Sequence, residues 1–334
     1  MSAVVNAPWI ERQATDLLTQ RGHAWLLQGP SGLGQYELAL ALVSAWLCEQ
    51  PSANGACGRC GSCHAIGVRT HADLAVLMPE TVMLNLGWPL SEKAQDEIDK
   101  KTRKPSKEIR VDAMRDAVEF AQRTNARGRG KAVLVFPAER MNTITANALL
   151  KTLEEPPGDV RFVLATEASH LLLPTIRSRC LAHTMRWPEA GEALQWLKGQ
   201  GVPPEVAQAL LQSAGGRPSD VLRQAEAGLS PAWWAALPRA MQQGDARHLA
   251  DLSPAQAIDA LQKLCHDMVL RHAGAAPRFF DAAQLPATAA SLTLLTDWFK
   301  RLMQSAKTAE HPFNAGLMLE ALTADARQTL QSKG

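Results

Sequence analysis

The chain has 334 residues, 46% of them hydrophobic and 20% charged, which is apolar material enough for a substantial core and length enough for two or three domains. A formal net charge of only +2 excludes a global electrostatic field as the basis of any nucleic-acid contact, so such contact needs a local basic patch. No apolar run approaches the roughly 18 residues of a membrane span, and MSAVVNAPWIERQ has no cationic segment followed by an apolar one, so a cytoplasmic protein is expected. In that reducing compartment the six cysteines are thiols or metal ligands rather than disulfides.

The first predicted strand is AWLLQ (24–28), and the loop after it reads GPSGLGQY (29–36). Gly29 and Gly34 stand at the glycine positions of a phosphate-binding loop, G-x-x-x-x-G, and a helix is predicted over 36–48. In a working loop the next two residues are Lys, which neutralises phosphate charge, and Ser or Thr, which coordinates Mg²⁺. Here they are Gln35 and Tyr36. Gln35 carries no charge, and a phenol is too long and rigid to replace a short hydroxyl on a metal. A lone G-x-x-x-x-G is a weak signal, but this one lies between strand and helix as the nucleotide-binding fold demands.

Next comes CEQPSANGACGRCGSC (48–63), with Cys48, Cys57, Cys60 and Cys63. Two C-x-x-C steps separated by glycines let thiolates converge on one tetrahedral ion, for which Zn²⁺ in a structural role is the first expectation and an iron–sulfur cluster the second. His64 and His71 are rival fourth ligands, while Cys180 and Cys265 are expected to be core thiols. DLAVLMP (73–79) predicts a strand. SEKAQDEIDKKTRKPSKE (91–108) is nearly all charged and predicts a solvated, mobile insertion. Its Lys100, Lys101, Arg103, Lys104 and Lys107 are candidates for phosphate contact.

A helix over 111–124 leads to the strand KAVLVF (131–136). The Asp-Glu pair that would hold magnesium after it is replaced by Phe136 and Pro137, a second loss independent of the first. A helix over 142–155 and the strand RFVLAT (161–166) complete the alternation, which predicts an α/β domain with a parallel sheet ending near residue 187. From 188 onward only helical patterns appear: a small unit to 228, punctuated by GVPPE and GGRPSD, and then Ala/Leu-rich helices. Ser253 and Pro254 supply an N-cap and first helical residue. Ile258, Leu261, Leu264, Cys265, Met268 and Val269 then form one apolar stripe, and Leu292, Leu295, Phe299 and Leu302 repeat that spacing.

Taken together, NALLKTLEEPP (147–157), FVLAT (162–166) and TIRSRC (175–180) resemble the polymerase clamp-loader branch of the AAA+ ATPases, and a cysteine knuckle after the loop helix is a mark of its bacterial members. The resemblance implies an AAA+-like α/β domain (1–187) carrying knuckle and insertion, a small helical lid (188–228), and a helical C-terminal domain (229–334) joining a five-subunit collar. Implied partners are ATPase subunits of the gamma/tau type, the delta subunit, the sliding clamp and primed DNA, with no membrane involved. In that family ATP sits between subunits, and the arginine of the Ser-Arg-Cys motif, here Arg179, reaches a neighbour's nucleotide. The plain alternative is that Arg179 only pairs with a local carboxylate. Arg177 is a weaker candidate for the same role. The lid's nucleotide-sensing arginine is replaced by Ser219, with Arg217 off register, and Thr166 stands at the other sensor position. Glu154 and Glu155 read as helix-end charges before Pro156 and Pro157. The expected function is therefore that of a non-hydrolysing subunit with no working ATP site of its own. The alternatives are a stand-alone zinc-containing nucleic-acid binder or a degenerate P-loop kinase or ATPase.

Overall fold

The structure is a computed structural model that describes residues 6–287, 290–309 and 314–332. It divides into two compact units, Met1–Pro188 and Glu189–Gly334.

The first unit is built on five strands: β1 (Ala24–Gln28), β2 (Leu74–Leu77), β3 (Lys131–Val135), β4 (Val160–Thr166) and β5 (Leu181–Thr184). All pair in parallel, in the order β2-β3-β4-β1-β5. Parallel pairing needs a crossover between strands, and the helices supply it. They are α1 (Pro8–Leu18), α2 (Gln35–Leu47), α3 (Gly61–Gly67), α4 (Glu80–Asn85), α5 (Glu92–Asp99), α6 (Val111–Gln122), α7 (Thr143–Glu154) and α8 (Pro174–Arg177). With helices on its faces, the sheet carries near-continuous apolar strands: β3 is buried along its whole length, and Val133, Phe162, Leu164 and Leu26 pack with Met114, Leu149 and Leu153 of α6 and α7. β1 lies inside the sheet between β4 and the edge strand β5, so the loop leaving its C-terminal end opens at the C-terminal edge of the sheet, where ligands of parallel α/β sheets bind. The predicted strands and the helices over 36–48, 111–124 and 142–155 are present with ends moved by at most two residues. β5 is an addition, an edge strand whose exposed Leu181 and Thr184 give no apolar run to read.

The 91–108 insertion departs from the expected mobile loop. Ser91 caps α5 by accepting a hydrogen bond from the Ala94 amide, and Ala94 is buried. Arg103 donates to Glu80 at 2.5 and 2.8 Å and to Glu97 at 2.6 Å, and the Ser106 amide also donates to Glu80. The segment has almost no apolar surface, so this charge-assisted clamp on a nearly buried carboxylate orders it instead. Arg103 is thereby committed within the chain.

The second unit is all helical: α9 (Ala190–Gly199), α10 (Pro204–Ser213), α11 (Pro218–Glu226), α12 (Pro231–Gln243), α13 (Pro254–His272), α14 (Leu292–Thr308) and α15 (Ala315–Gln331). One continuous core runs from Leu197 and Leu210 through Leu237, Leu261 and Leu264 to Trp298, Leu302 and Leu330. Ser253 and Gln256 form a reciprocal capping box at the start of α13. The stripe of Ile258, Leu261, Leu264, Cys265 and Met268 is buried, with Val269 packed against it. In α14 the buried face is instead Leu295, Trp298 and Leu302, and Leu292 and Phe299 are exposed. No helix among the described residues is long and apolar enough to cross a membrane.

The Arg103 clamp has a pH signature. Hydrogen bonds from Arg103 hold the Glu80 carboxyl below the usual carboxylate range. A folded-state value below the unfolded one contributes stability that is complete above the unfolded pKa and lost as pH falls through the folded one. Wild type should therefore exceed Glu80→Gln in urea stability at neutral pH, with the gap closing as pH falls through the carboxylate range. A gap unchanged down to about pH 3 would contradict the clamp.

Candidate functional site

Three constellations in the first unit hold the predicted residues: the glycine loop, the cysteine knuckle and the Arg179 turn.

At the loop, Gly34 is the N-terminal boundary residue of α2 at φ +94°, a left-handed conformation open to glycine, and an added Cβ would meet Ile10 Cδ1 of α1 at 2.7 Å. A Cβ on Gly29 would meet Met185, just after β5, at 2.9 Å. Trp9 of α1 donates its indole N–H to the Leu33 carbonyl, so α1 closes over the loop. Gln35 is buried, and its carboxamide donates to the carbonyls of Gly29 at 2.7 Å and Pro30 at 2.8 Å. Both amide hydrogens are thus taken up by the loop's own backbone. Tyr36 is buried as well; its hydroxyl accepts a 2.7 Å bond from the Trp88 indole, and its ring lies 5.4 Å from that of Phe136. Burial raises the Tyr36 phenol above its ordinary value, so it stays a neutral hydroxyl. One residue that departed from the loop pattern, Tyr36, and one that departed from the acidic pattern, Phe136, therefore meet in space. Trp88, the hydrogen-bond donor to Tyr36, was not singled out by the sequence; its distance of 52 residues from Tyr36 leaves no local signal.

Thr166, at the C-terminal end of β4, is fully buried and donates to Glu139 at 2.6 Å, while the Glu167 amide donates to the other Glu139 oxygen. In the second unit Arg217 donates to Asp220 and to the Ala214 carbonyl, so the guanidinium beside Ser219 is tied within its own helix start.

At the knuckle, the Sγ atoms of Cys48, Cys57, Cys60 and Cys63 all lie within 4.8 Å of one another. Closest pairs are 3.7 Å (Cys48–Cys63), 3.8 Å (Cys48–Cys60) and 4.0 Å (Cys57–Cys63). Four sulfurs at about 2.3 Å from a central ion stand about 3.8 Å apart at the corners of a tetrahedron, so the four thiols fit one metal ion. Amides of Gln50 and Cys57 point at the Cys48 sulfur, and the Cys63 amide points at Cys60, which favours thiolates. Glu49 accepts from the Ser62 amide and hydroxyl and from Arg127, and Asp73 accepts from the Ala126 and Arg127 amides, fixing the knuckle to the loop before β3. The two rival histidines are not part of the cluster. His64 is exposed on α3, and His71 is buried with its Nδ1 accepting from the Asp73 amide. Burial pushes the Cys180 and Cys265 thiols up to about 12, as suits apolar packing.

In the turn before β5, Arg179 donates Nε to Glu154 Oε1 at 2.6 Å, a second bond from Nη2 to the same oxygen, and Nη1 to the Thr175 carbonyl at 2.8 Å. The pair stays near the surface, with the side chains 30% and 48% exposed. Glu154, read from sequence as a helix-end charge, is thus the partner of Arg179 across 25 residues of chain. Arg177 is exposed and lines a cleft of about 320 Å³ with Gln28, Ser178 and Ala182.

A family model described as "DNA polymerase III, delta subunit" matches residues 11–188. A DNA polymerase III subunit delta′ of Pseudomonas aeruginosa is 39% identical over 216 residues, which is 63% of this chain and 58% of that protein. Its counterpart from Escherichia coli is 33% identical over 221 residues, 64% of this chain and 59% of that protein. The matched region therefore spans under three fifths of the length of each relative. Among solved structures, a DNA polymerase III gamma subunit-related protein of Thermotoga maritima aligns over 96% of this chain and 99% of its own, at 17% identity and a TM-score of 0.46.

The four-thiol geometry gives a direct expectation. The purified chain should retain one metal ion by elemental analysis, and Cys60→Ser should lose it, with faster protease cleavage around residues 48–63 but an intact sheet. Structural sites of this kind are worth on the order of 10 kcal/mol in small peptides, which a local segment of this size does not replace. Full metal retention by Cys60→Ser would rule out the four-ligand site.

Proposed function

Because the chain belongs to the DNA polymerase III delta-subunit family, we propose that it works as the delta-prime subunit of a clamp loader, hydrolysing no nucleotide itself and lending Arg179 to an ATP site on a neighbouring subunit. Its partners on this reading are gamma/tau-type ATPase subunits and the delta subunit, and through them the sliding clamp and primed DNA. The C-terminal helices, grouped as a lid over 188–228 and a collar domain over 229–334, supply the contacts that build the complex. The metal is Zn²⁺ in a structural role, because four thiolates leave no open position for substrate.

The observation that carries this reading is Gln35. A phosphate cradle needs its backbone amides and a Lys charge turned toward the ligand. Here the residue in the Lys position is neutral, buried and bonded back to the loop, and Tyr36, Trp88 and Phe136 bring aromatic bulk where Mg²⁺ and a carboxylate pair would be needed. A scaffold retained with its own chemistry filled in makes sense when the domain serves a neighbour. Arg179 supports the second half of the proposal, since its planar fork is near the surface and its charge fits a phosphate oxygen.

Two outcomes test it. The isolated chain should not turn over ATP, and Gln35→Lys with Tyr36→Thr should not restore turnover, because Phe136 and Pro137 still leave Mg²⁺ and the attacking water without a carboxylate. Robust hydrolysis by the wild-type chain would refute the reading. In the assembled loader, Arg179→Ala should permit normal assembly but reduce hydrolysis at the one adjacent site by a factor on the order of 10³–10⁵, the range for arginine fingers. Total clamp- and DNA-stimulated ATPase then falls only in part. Normal assembly with unchanged ATPase and unchanged clamp loading would make the arginine merely structural.

A further inference from the structure

Arg179 does not hang free at the surface. It is gripped from two elements: Glu154, the last residue of α7, takes Nε and Nη2, and the Thr175 carbonyl of α8 takes Nη1. Of the five guanidinium N–H donors these bonds use three, and a long contact to the Ser178 hydroxyl at 3.4 Å engages Nη1 again. The side of the fork carrying Nε is therefore pinned, while Nη2 keeps a donor for an incoming anion. Both bonds to Glu154 fall on a single oxygen, Oε1.

We propose that Glu154 is a positioning residue for Arg179, fixing the guanidinium plane so that its remaining donors are aimed, before assembly, at the γ-phosphate of a nucleoside triphosphate on the neighbouring subunit; this rests on the role of Arg179 proposed above. An arginine has a flexible stem, and holding it in one rotamer in advance removes the ordering that would otherwise oppose the transition-state contact. The pair does little for stability. An ion pair this exposed contributes almost nothing to folding, so its geometry matters chiefly for aim. Glu155, the next residue and also exposed, lies past the end of α7 and carries the same charge without this contact.

The test uses the assembled loader. Glu154→Ala should leave the melting temperature and assembly unchanged while lowering kcat at the adjacent site by roughly ten- to hundredfold, the scale of a misplaced reacting group, with KM for ATP nearly constant. Glu154→Gln should restore most of the rate, because its one carbonyl oxygen can accept both bonds that Oε1 accepts. Glu155→Ala should behave as wild type. Combined with Arg179→Ala, Glu154→Ala should add no further loss, since both act through one group. Wild-type kcat in Glu154→Ala, no recovery in Glu154→Gln, or an equal loss in the Arg179→Ala background would each overturn the proposal. If Arg179→Ala itself leaves hydrolysis unchanged, the role of Arg179 fails and takes this inference with it. A loss with Arg179→Ala but none with Glu154→Ala removes this inference alone.

Discussion

A buried carboxamide bonded to its own loop is the contact around which the first unit is arranged. Gln35 opens α2 directly after a glycine in left-handed geometry, and its two donors go to the carbonyls at the start of the same loop. The loop is held closed from within, by a neutral group that costs no charge burial. From outside, Ile10 of α1 presses on Gly34 and Met185 after β5 on Gly29 at distances that only glycine tolerates, and Trp9 bonds to the Leu33 carbonyl. The parallel sheet still delivers the loop to its open edge beside β4 and β5. The loop keeps its glycines at the end of a parallel strand, and the two side chains that follow them, Gln35 and Tyr36, are buried and bonded within the chain.

The second arrangement follows from the helices flanking the sheet. α7 ends at Glu154 because two prolines follow within three residues, and the chain beyond β4 turns through α8 so that Arg179 meets that helix end. Arg179 is thus held near the surface by a carboxylate and a carbonyl, which is the geometry on which its proposed role rests. The knuckle is separate from both. Glu49, Ser62, Arg127 and Asp73 join it to the loop before β3, so a metal bound there would brace the β2–β3 side of the sheet rather than the glycine loop.

Local spacing made much of this legible. The four cysteines, the glycine loop, the apolar strands β1, β3 and β4 and the capping box at Ser253 all depend on residues within a few positions of one another. What stayed hidden is long-range or polar. β5 exposes most of its side chains and is a strand only because β1 pairs with it. The 91–108 segment offers one buried residue, Ala94, and folds because Arg103 finds Glu80, 23 residues earlier. Trp88 reaches Tyr36 across 52 residues, and Glu154 reaches Arg179 across 25, so neither pairing leaves a pattern in the chain. In α14 the periodicity found Leu295 and Leu302, which are buried, but Leu292 and Phe299 are exposed and Trp298 fills the core position beside Phe299.

The central claim is that the chain leaves its own loop without nucleotide and serves a neighbour's. Its most direct measurement is a high-resolution structure of the loader assembled from this chain and its ATPase partners with a non-hydrolysable ATP analogue and Mg²⁺. The account predicts no nucleotide between Gly29 and Tyr36, with Gln35 still bonded to the loop carbonyls, and the Arg179 guanidinium within about 3.2 Å of a γ-phosphate oxygen on the adjacent subunit. Analogue bound in the glycine loop of this chain, or Arg179 turned away from every nucleotide in a fully assembled complex, would contradict it.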